Sequence, residues 1–294
     1  MLYCLKTFKT LAEKILRRLL HRNYRWGVAY QFTDDWKSAT LSRSKVIPNP
    51  KNRFIADPFI IQRDGIHFCF VEDFDFRTRK GSISLYLITK DKCEARGKIL
   101  EEDFHLSFPF IFEYENELFM CPETHEKNEI RVYKCISFPT KWEFHHTIMH
   151  NVSAADTLIF QMNGRWWLFS NLEQTKSGDH CSQLHAFHSS DPLSGKWIPH
   201  SGNPLIHDSS RARNGGLIVH NGEIYRTFQR QGFDLYGEAV GVAKVLELSH
   251  SSYLEKTLFT VEPRFLDTLK GCHTYNYDNG LLVLDFVKIS SLRN

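Results

Sequence analysis

From Trp26 onward, short apolar runs alternate with polar pairs, and one unit recurs five times. Each copy is an apolar strand, a two-residue turn and a second apolar strand. The first runs Asp57-Pro58-Phe59-Ile60-Ile61, turns at Asp64-Gly65 and returns through Phe68-Cys69-Phe70-Val71-Glu72. The next three turn at Glu115-Asn116, Asn163-Gly164 and Asn221-Gly222, and a weaker fifth turns at Asn279-Gly280. Asp-Gly and Asn-Gly favour type I′ turns, because both central residues need positive φ. The turns recur every 48 to 58 residues, a period that fits one propeller blade of about four strands. The intervening stretches 82–89, 130–135, 184–189 and 239–246 supply further strands. No linker rich in Gly, Pro or Ser divides the chain. The pattern predicts an all-β fold, a five-bladed β-propeller over residues 26–294 as one domain.

The first 25 residues follow another period. Leu5, Phe8, Ala12, Ile15 and Leu19 recur at steps of three and four, on one helical face, and Lys6, Lys9, Glu13, Lys14, Arg17 and Arg18 fill the other. Basic residues interrupt the run too often for a secretory signal. Residues 1–25 are therefore expected to form a short basic amphipathic helix. Two settings suit it: an anionic membrane surface, or a packing face on its own domain or a partner.

The 294 residues are 42% hydrophobic, 14% aromatic and 24% charged. This excludes a wholly disordered chain, a collagen and a disulfide-dense miniprotein. No apolar run is long enough for a membrane-spanning helix. Net charge is +3, yet residues 1–25 hold seven basic residues against Glu13 alone, so the remainder is slightly acidic. Nucleic acid is not an expected partner. The seven cysteines are irregularly spaced with no CxxC, so neither a zinc site nor a disulfide framework is expected, and a reducing, cytoplasmic setting is the simplest reading.

In a propeller the first strand of each blade lines the central channel. Counting back from each turn pairs 57 with 72, 108 with 123, 156 with 171, and 214 with 229. The paired ends gather at one mouth: Asp57 with Glu72, Phe108 with Glu123, Asp156 with Asn171, and Asn214 with Gln229. Arg213, Ser107 and His273 lie one position away. Polar residues at the ends of apolar strands need partners or solvent. A funnel of carboxylates suits acid–base work on sugars, where two carboxyl groups flank one bond.

Other clusters are weaker. His185 and His188 fall on opposite faces of a strand, so with His180 and Cys181 they form no ligand set. His145, His146 and His150 lack ligand spacing too. Of Trp166 and Trp167, one ring is expected in the core and one between blades. Gly215-Gly216 lacks the strand–loop–helix setting of a phosphate loop.

Ala56-Asp57-Pro58-Phe59 followed by Glu72 resembles the first blade of the glycoside hydrolase clan that contains arabinanases and xylosidases. Closer is a resemblance to the propeller at the N-terminus of glucosamine inositolphosphorylceramide transferases and its bacterial relatives. It is carried by 105–110, Pro122-Glu123-Thr124, 138–142, Asp156-Thr157, 166–169, 193–197, Asn203-Pro204, 213–216, Tyr225-Arg226, Gln229 and Tyr236-Gly237, in order. The hydrolase resemblance implies that Asp57 is a general base and that Asp156 orients the sugar. It also implies a fourth-blade acid, which this chain lacks, its blade reading Arg211-Ala212-Arg213-Asn214. Glu123 or Glu72 is left as the acid.

The expectation is a carbohydrate-active protein of cell-surface polysaccharide or glycolipid biosynthesis, doing glycosyl transfer or glycosidase-like chemistry on a sugar, nucleotide-sugar or glycolipid. It would work in the cytoplasm, peripheral to the inner face of a membrane. Asp57, Glu72, Glu123 and Asp156 are the catalytic candidates. His105, Ser107, Arg213, Asn214, Gln229 and His273 are the binding candidates, with Arg213 suited to a phosphate or carboxylate. No metal ligand is assigned, but a divalent cation, calcium, in the central channel is left open, as in some relatives of the hydrolase clan. The rival expectations are a non-catalytic glycan- or glycolipid-binding module and a protein–protein scaffold.

Overall fold

The computed structural model describes residues 22–175, 177–232 and 235–291. Residues 1–21, where most of the expected helix falls, lie outside them. Residues 22–25 belong to the first strand instead, so the propeller begins four residues before the expected boundary.

The described residues form twenty-two strands. The two at the N-terminus are β1 (Arg22–Phe32) and β2 (Lys45–Ile47). Blade one follows as β3 (Arg53–Arg63), β4 (Ile66–Asp75), β5 (Lys80–Ile88) and β6 (Cys93–Leu100). Blade two is β7 (Ser107–Tyr114), β8 (Glu117–Glu123), β9 (Glu129–Ser137) and β10 (Lys141–His150). Blade three is β11 (Ser153–Met162), β12 (Arg165–Glu173) and β13 (Gln183–Ser189), edged by β14 (Ile198–Pro199) and β15 (Ile206–His207). Blade four is β16 (Asn214–His220), β17 (Glu223–Arg230), β18 (Ala239–Leu248) and β19 (Tyr253–Val261). The last three strands are β20 (Leu269–Gly271), β21 (Tyr275–Asp278) and β22 (Leu281–Ser291). The fifth blade joins the two ends of the described chain: β21 pairs β22, β22 pairs β1, and β1 pairs β2.

All five expected turns form, and both residues of each have positive φ, as at Asp64 (51°) and Gly65 (76°). The expected pairings at the mouth, however, are off by one. Next to the turns the ladders are regular, as Phe59↔Phe70, Phe110↔Cys121 and Leu158↔Phe169 show. At the mouth the partners are Ala56↔Glu72, Ser107↔Glu123 and Ala155↔Asn171, not 57, 108 and 156. Each inner strand carries an extra residue there, a β-bulge, which breaks any count from the turn. In blade four the slip falls between Asn214 and Gly216, and Asn214 faces Phe228 rather than Gln229. The bulges contain Asp57, Phe108 and Asp156, at φ of 47°, 48° and 50°. Each costs about 1–3 kcal/mol for a non-glycine residue, so the surroundings must hold them.

The core lies between the blades. Phe59 of blade one meets Phe108 and Phe110 of blade two edge to face, with centroids 4.7 and 5.7 Å apart. Trp167 is buried in the core while Trp166 packs across to Phe112 and Tyr114 of blade two, as the doublet suggested. His185 takes Gln183, His188 takes Arg165 and His180 takes Ser153, so no ligand set forms among them. None of the helices among the described residues is long and apolar enough to cross a membrane.

Closure rests on β1, which runs beside β22 over eleven residue pairs, from Arg22↔Ser291 to Phe32↔Leu281. Val28, Tyr30 and Ile47 of β1 and β2 are buried in the cluster between blades five and one. At about 1.5–3 kcal/mol for each such side chain, losing the three would remove much of a typical domain's 5–15 kcal/mol. A chain beginning at residue 48 is therefore expected to lose its cooperative thermal unfolding transition and to associate through the bared edge of β22. Calorimetry and size-exclusion chromatography check this; a monomer with unaltered Tm would contradict it.

Candidate active site at the carboxylate mouth

The bulges of blades one and three turn Asp57 and Asp156 into the mouth, where all five blades contribute. Asp57 and Glu72 come from blade one, Glu123 from blade two, Asp156 from blade three, Arg213 and Gln229 from blade four, and His273 and Asp285 from blade five. All five carboxylates are buried.

Arg213 ties blades two, three and four together. Its Nε donates to Asp156 Oδ2 at 2.6 Å, Nη2 lies 3.6 Å from Glu123 Oε2, and Nη1 reaches Cys181 Sγ at 3.6 Å. The donors expected to meet an anionic ligand are thus engaged within the protein. Gln229 Nε2 donates to Asp156 Oδ2 at 2.8 Å and to the Asn214 carbonyl at 2.7 Å. Asn214 Nδ2 donates to the Asp156 carbonyl at 2.9 Å. Asn214 and Gln229 are 0% exposed, so both hold Asp156 in place rather than facing a ligand. Ser107 sits opposite Glu123 in the ladder.

His105 reaches the mouth from the segment between β6 and β7. The Gly81 amide donates to its Nδ1 at 2.9 Å. The ring proton therefore sits on Nε2, which faces Glu72 Oε1 at 3.5 Å. Burial pulls the His105 pKa down and favours this neutral ring.

In blade five, Asp285 Oδ1 accepts from the His273 and Thr274 amides at 2.9 and 3.0 Å. Oδ2 pairs with His273 Nδ1 at 2.5 Å and accepts from the Asp57 amide at 3.2 Å. Asp57 Oδ2 in turn accepts from the Phe108 amide at 3.2 Å. His273 is stacked under Trp26 of β1, with centroids 3.8 Å apart.

Ligand atoms of Asp57, His273 and Asp285 lie within 4.8 Å of one another, the one group among the described residues with metal-site spacing. The set does not fit calcium. Asp285 spends both oxygens on three amides and a histidine, and Asp57 has only Oδ1 left, whereas calcium takes six to eight oxygens.

The surroundings drive the carboxylates apart. Burial, with the negative field of Asp57 and Glu123, raises Glu72 well above the usual range. Burial raises Asp57 to about 7, against the pull of His273 and with the push of Asp285. Asp156 is drawn two ways, and burial outweighs the pull of Arg213 to leave it raised to about 6. For Glu123 burial is outweighed by the His125 hydrogen bond at 2.8 Å and by Arg213, which hold its carboxyl at about 2. Glu72 is thus pushed toward its protonated form and Glu123 toward its charged one. Two carboxyl groups with opposite protonation are what acid–base chemistry requires.

Asp285 and His125 were not among the sequence candidates. Asp285 closes the weakest copy of the repeat, where no bulge sets the register. His125 follows Glu123 by two residues in a short 3-10 turn, which strand counting does not reach.

His273 is raised because Asp285 and Asp57 favour its cation over the opposing burial. That stabilisation is fully present below the ordinary histidine value near 6.5 and is lost as pH rises through the raised value. Asp285→Asn is therefore expected to return the His273 titration to or below the ordinary value, read by NMR of the ring protons. It should cost about 3–5 kcal/mol at pH 6, as for one partner of a buried pair, and less at higher pH.

Residues 38–291 match the family model described as glucosamine inositolphosphorylceramide transferase 1, N-terminal. Glucosamine inositolphosphorylceramide transferase 1 of Oryza sativa subsp. japonica is 35% identical over 212 residues, 70% of this chain and 28% of that protein. Its Arabidopsis thaliana counterpart is 34% identical over 233 residues, 77% and 29%. The chain thus spans under a third of the length of these relatives. Among solved structures, the catalytic domain of the Coprinopsis cinerea GH62 α-L-arabinofuranosidase aligns with a TM-score of 0.57 at 11% identity, covering 79% of this chain and 90% of that one. The Penicillium chrysogenum α-L-arabinanase aligns at 0.55 and 10%, covering 84% and 96%. These likenesses establish the five-bladed fold. The sequence matches go further: the chain belongs to the family of the N-terminal domain of glucosamine inositolphosphorylceramide transferase 1.

Proposed function

We propose that the carboxylate mouth binds and processes the terminal sugar of a glycolipid or cell-surface polysaccharide, by glycosyl transfer or glycosidase-like chemistry. The observation that carries this is one buried cluster in which Glu72 faces only His105 while Glu123 is flanked by His125 and Arg213, so that the two carboxyl groups are pushed in opposite directions. The names of the relatives, which join glucosamine to an inositolphosphoryl lipid, support a sugar on a lipid as substrate. Work at the inner face of a membrane, with the basic N-terminal residues toward anionic lipid, belongs to the same reading.

In this reading Glu72 is the general acid. Burial favours its protonated form, and His105 faces it. Glu123, held as a carboxylate, is unsuited to donate a proton and serves to hold Arg213 and stabilise positive charge developing on a sugar. Asp57 is the base or nucleophile, and Asp156 orients the sugar from its place between Gln229 and Arg213.

A second reading is a glycan- or glycolipid-binding module without turnover. It is favoured by the start of blade four, which offers Arg213 and Asn214 and no acid.

The test is product detection by mass spectrometry. The protein is incubated with nucleotide sugars, glycolipid extracts and oligosaccharides, beside Asp57→Asn and Glu72→Gln. Turnover is expected, reduced about 10²–10⁴-fold in either variant. Because Asp57 must lose its proton to act as base, kcat/KM is expected to rise with pH through about 7. A falling limb at higher pH is expected where the raised Glu72 acid loses its proton, and Glu72→Gln should remove it. Retention of a glycan by all three forms without turnover would favour the binding module.

A further inference from the structure

Tyr236-Gly237 is a sequence motif that the acid–base reading leaves without a role. It lies toward the end of the connection from β17 to β18, where Tyr236 stands against Arg213 and His273. The Tyr236 ring covers the Arg213 guanidinium, with its centre 4.8 Å away, and meets His273 edge to face at 5.2 Å. Trp26, stacked on His273, meets Tyr236 at 6.3 Å and 78°. Three aromatic rings thus form a continuous wall beside the carboxylates.

The wall is built. Gly237 has φ of +66°, and a Cβ there would stand 2.8 Å from His273 Cβ and 3.1 Å from Trp26. A Cβ on Gly271 would meet the Gly237 carbonyl oxygen at 2.1 Å. Two positions without side chains therefore let this connection press onto His273, which fixes the ring of the preceding residue. The Gly237 amide is held by Gln231 Oε1 at 3.1 Å.

Even so, Tyr236 is 42% exposed, beside acids that are almost fully buried. Its hydroxyl end is buried toward Arg213 and the carboxylates, so the accessible part is the rest of the residue, with Arg213 against one face of the ring. A large aromatic surface left wet beside buried carboxylates costs free energy unless something covers it.

We infer that Tyr236, backed by Arg213 and flanked by Trp26, is the platform on which a pyranose ring lays its C–H face while its hydroxyls turn toward the carboxylates. This rests on the sugar-processing reading and adds where the sugar sits and what part of it is recognised. A pyranose suits the site because it has one face of C–H groups, carrying small positive charges that match a π cloud, and a rim of hydroxyls that match carboxylates. The positive charge of Arg213 behind the ring pins it without consuming its open face.

The experiment uses the full chain and methyl glycosides of glucosamine, N-acetylglucosamine, glucose, galactose, mannose and arabinose. Saturation-transfer NMR on the unmodified protein is expected to mark the protons of one sugar face over the other. In titrations, Tyr236→Ala is expected to weaken the best-bound glycoside at least about tenfold. Tyr236→Phe should bind as the unmodified protein does, and both variants should keep its Tm. If no glycoside binds the unmodified protein, the sugar-processing reading fails and the platform with it. If a glycoside binds but saturates evenly on both faces, or Tyr236→Ala binds it equally well, the platform alone is overturned. Should Tyr236→Ala not fold, the face-selective NMR pattern decides.

Discussion

A bulged residue at positive φ presents an amide that its own ladder cannot serve, and the mouth of this propeller depends on how those amides are satisfied. Side chains of the preceding blade do it. Asp285 of blade five takes the amide of Asp57, and Asp57 of blade one takes that of Phe108. Each of these bonds holds a strained bulge and the junction of two blades at once, and Asn171 of blade three joins blade four through the amide of Asn214, just ahead of that blade's bulge. The aromatic packing between blades supplies area, but these polar bonds set the register in which the inner strands meet. Buried acceptors left unpaired would cost about 1–3 kcal/mol each, so the arrangement tolerates little slippage.

Under the proposed function, the same acids that hold the ring would also carry the chemistry. A carboxylate that accepts a backbone amide keeps one oxygen for structure and one for work, as Asp57 does with Phe108 on one side and His273 at 3.7 Å on the other. Crowding five of them out of water forces some to take up protons, and the cations decide which. Arg213 and His125 stand beside Glu123, so it stays charged. Glu72 has only the neutral His105, so it is pushed toward its protonated form. The division of labour follows from where three side chains stand.

Much of this was legible in the chain. Five turn pairs at a regular spacing gave the blades, because a type I′ turn has strong residue preferences. Apolar strand ends that turn polar located the mouth. The bulges were not legible, since one extra residue in an inner strand leaves the turn, the apolar run and the composition unaltered. Closure by β1 was hidden for another reason: its partner β22 lies some 250 residues later, beyond the reach of local pattern. Arg213 was visible as a residue but not as a clamp. Its partners come from two other blades, and its charge alone suggested an anionic ligand. Asn214 and Gln229 were found at the right place for a different reason: they support Asp156 from behind.

The pairing of Arg22 with Ser291 puts the two ends of the described propeller side by side. They lie at the end of β1 and β22 away from the Asn279-Gly280 turn, on the face where the carboxylates gather. Trp26, four residues into β1, is already part of the mouth. Whatever is joined to either end is thereby held at high local concentration over the mouth, without any affinity of its own for it. A lipid-bound segment on one side, or a further domain on the other, would share a single doorway with the substrate.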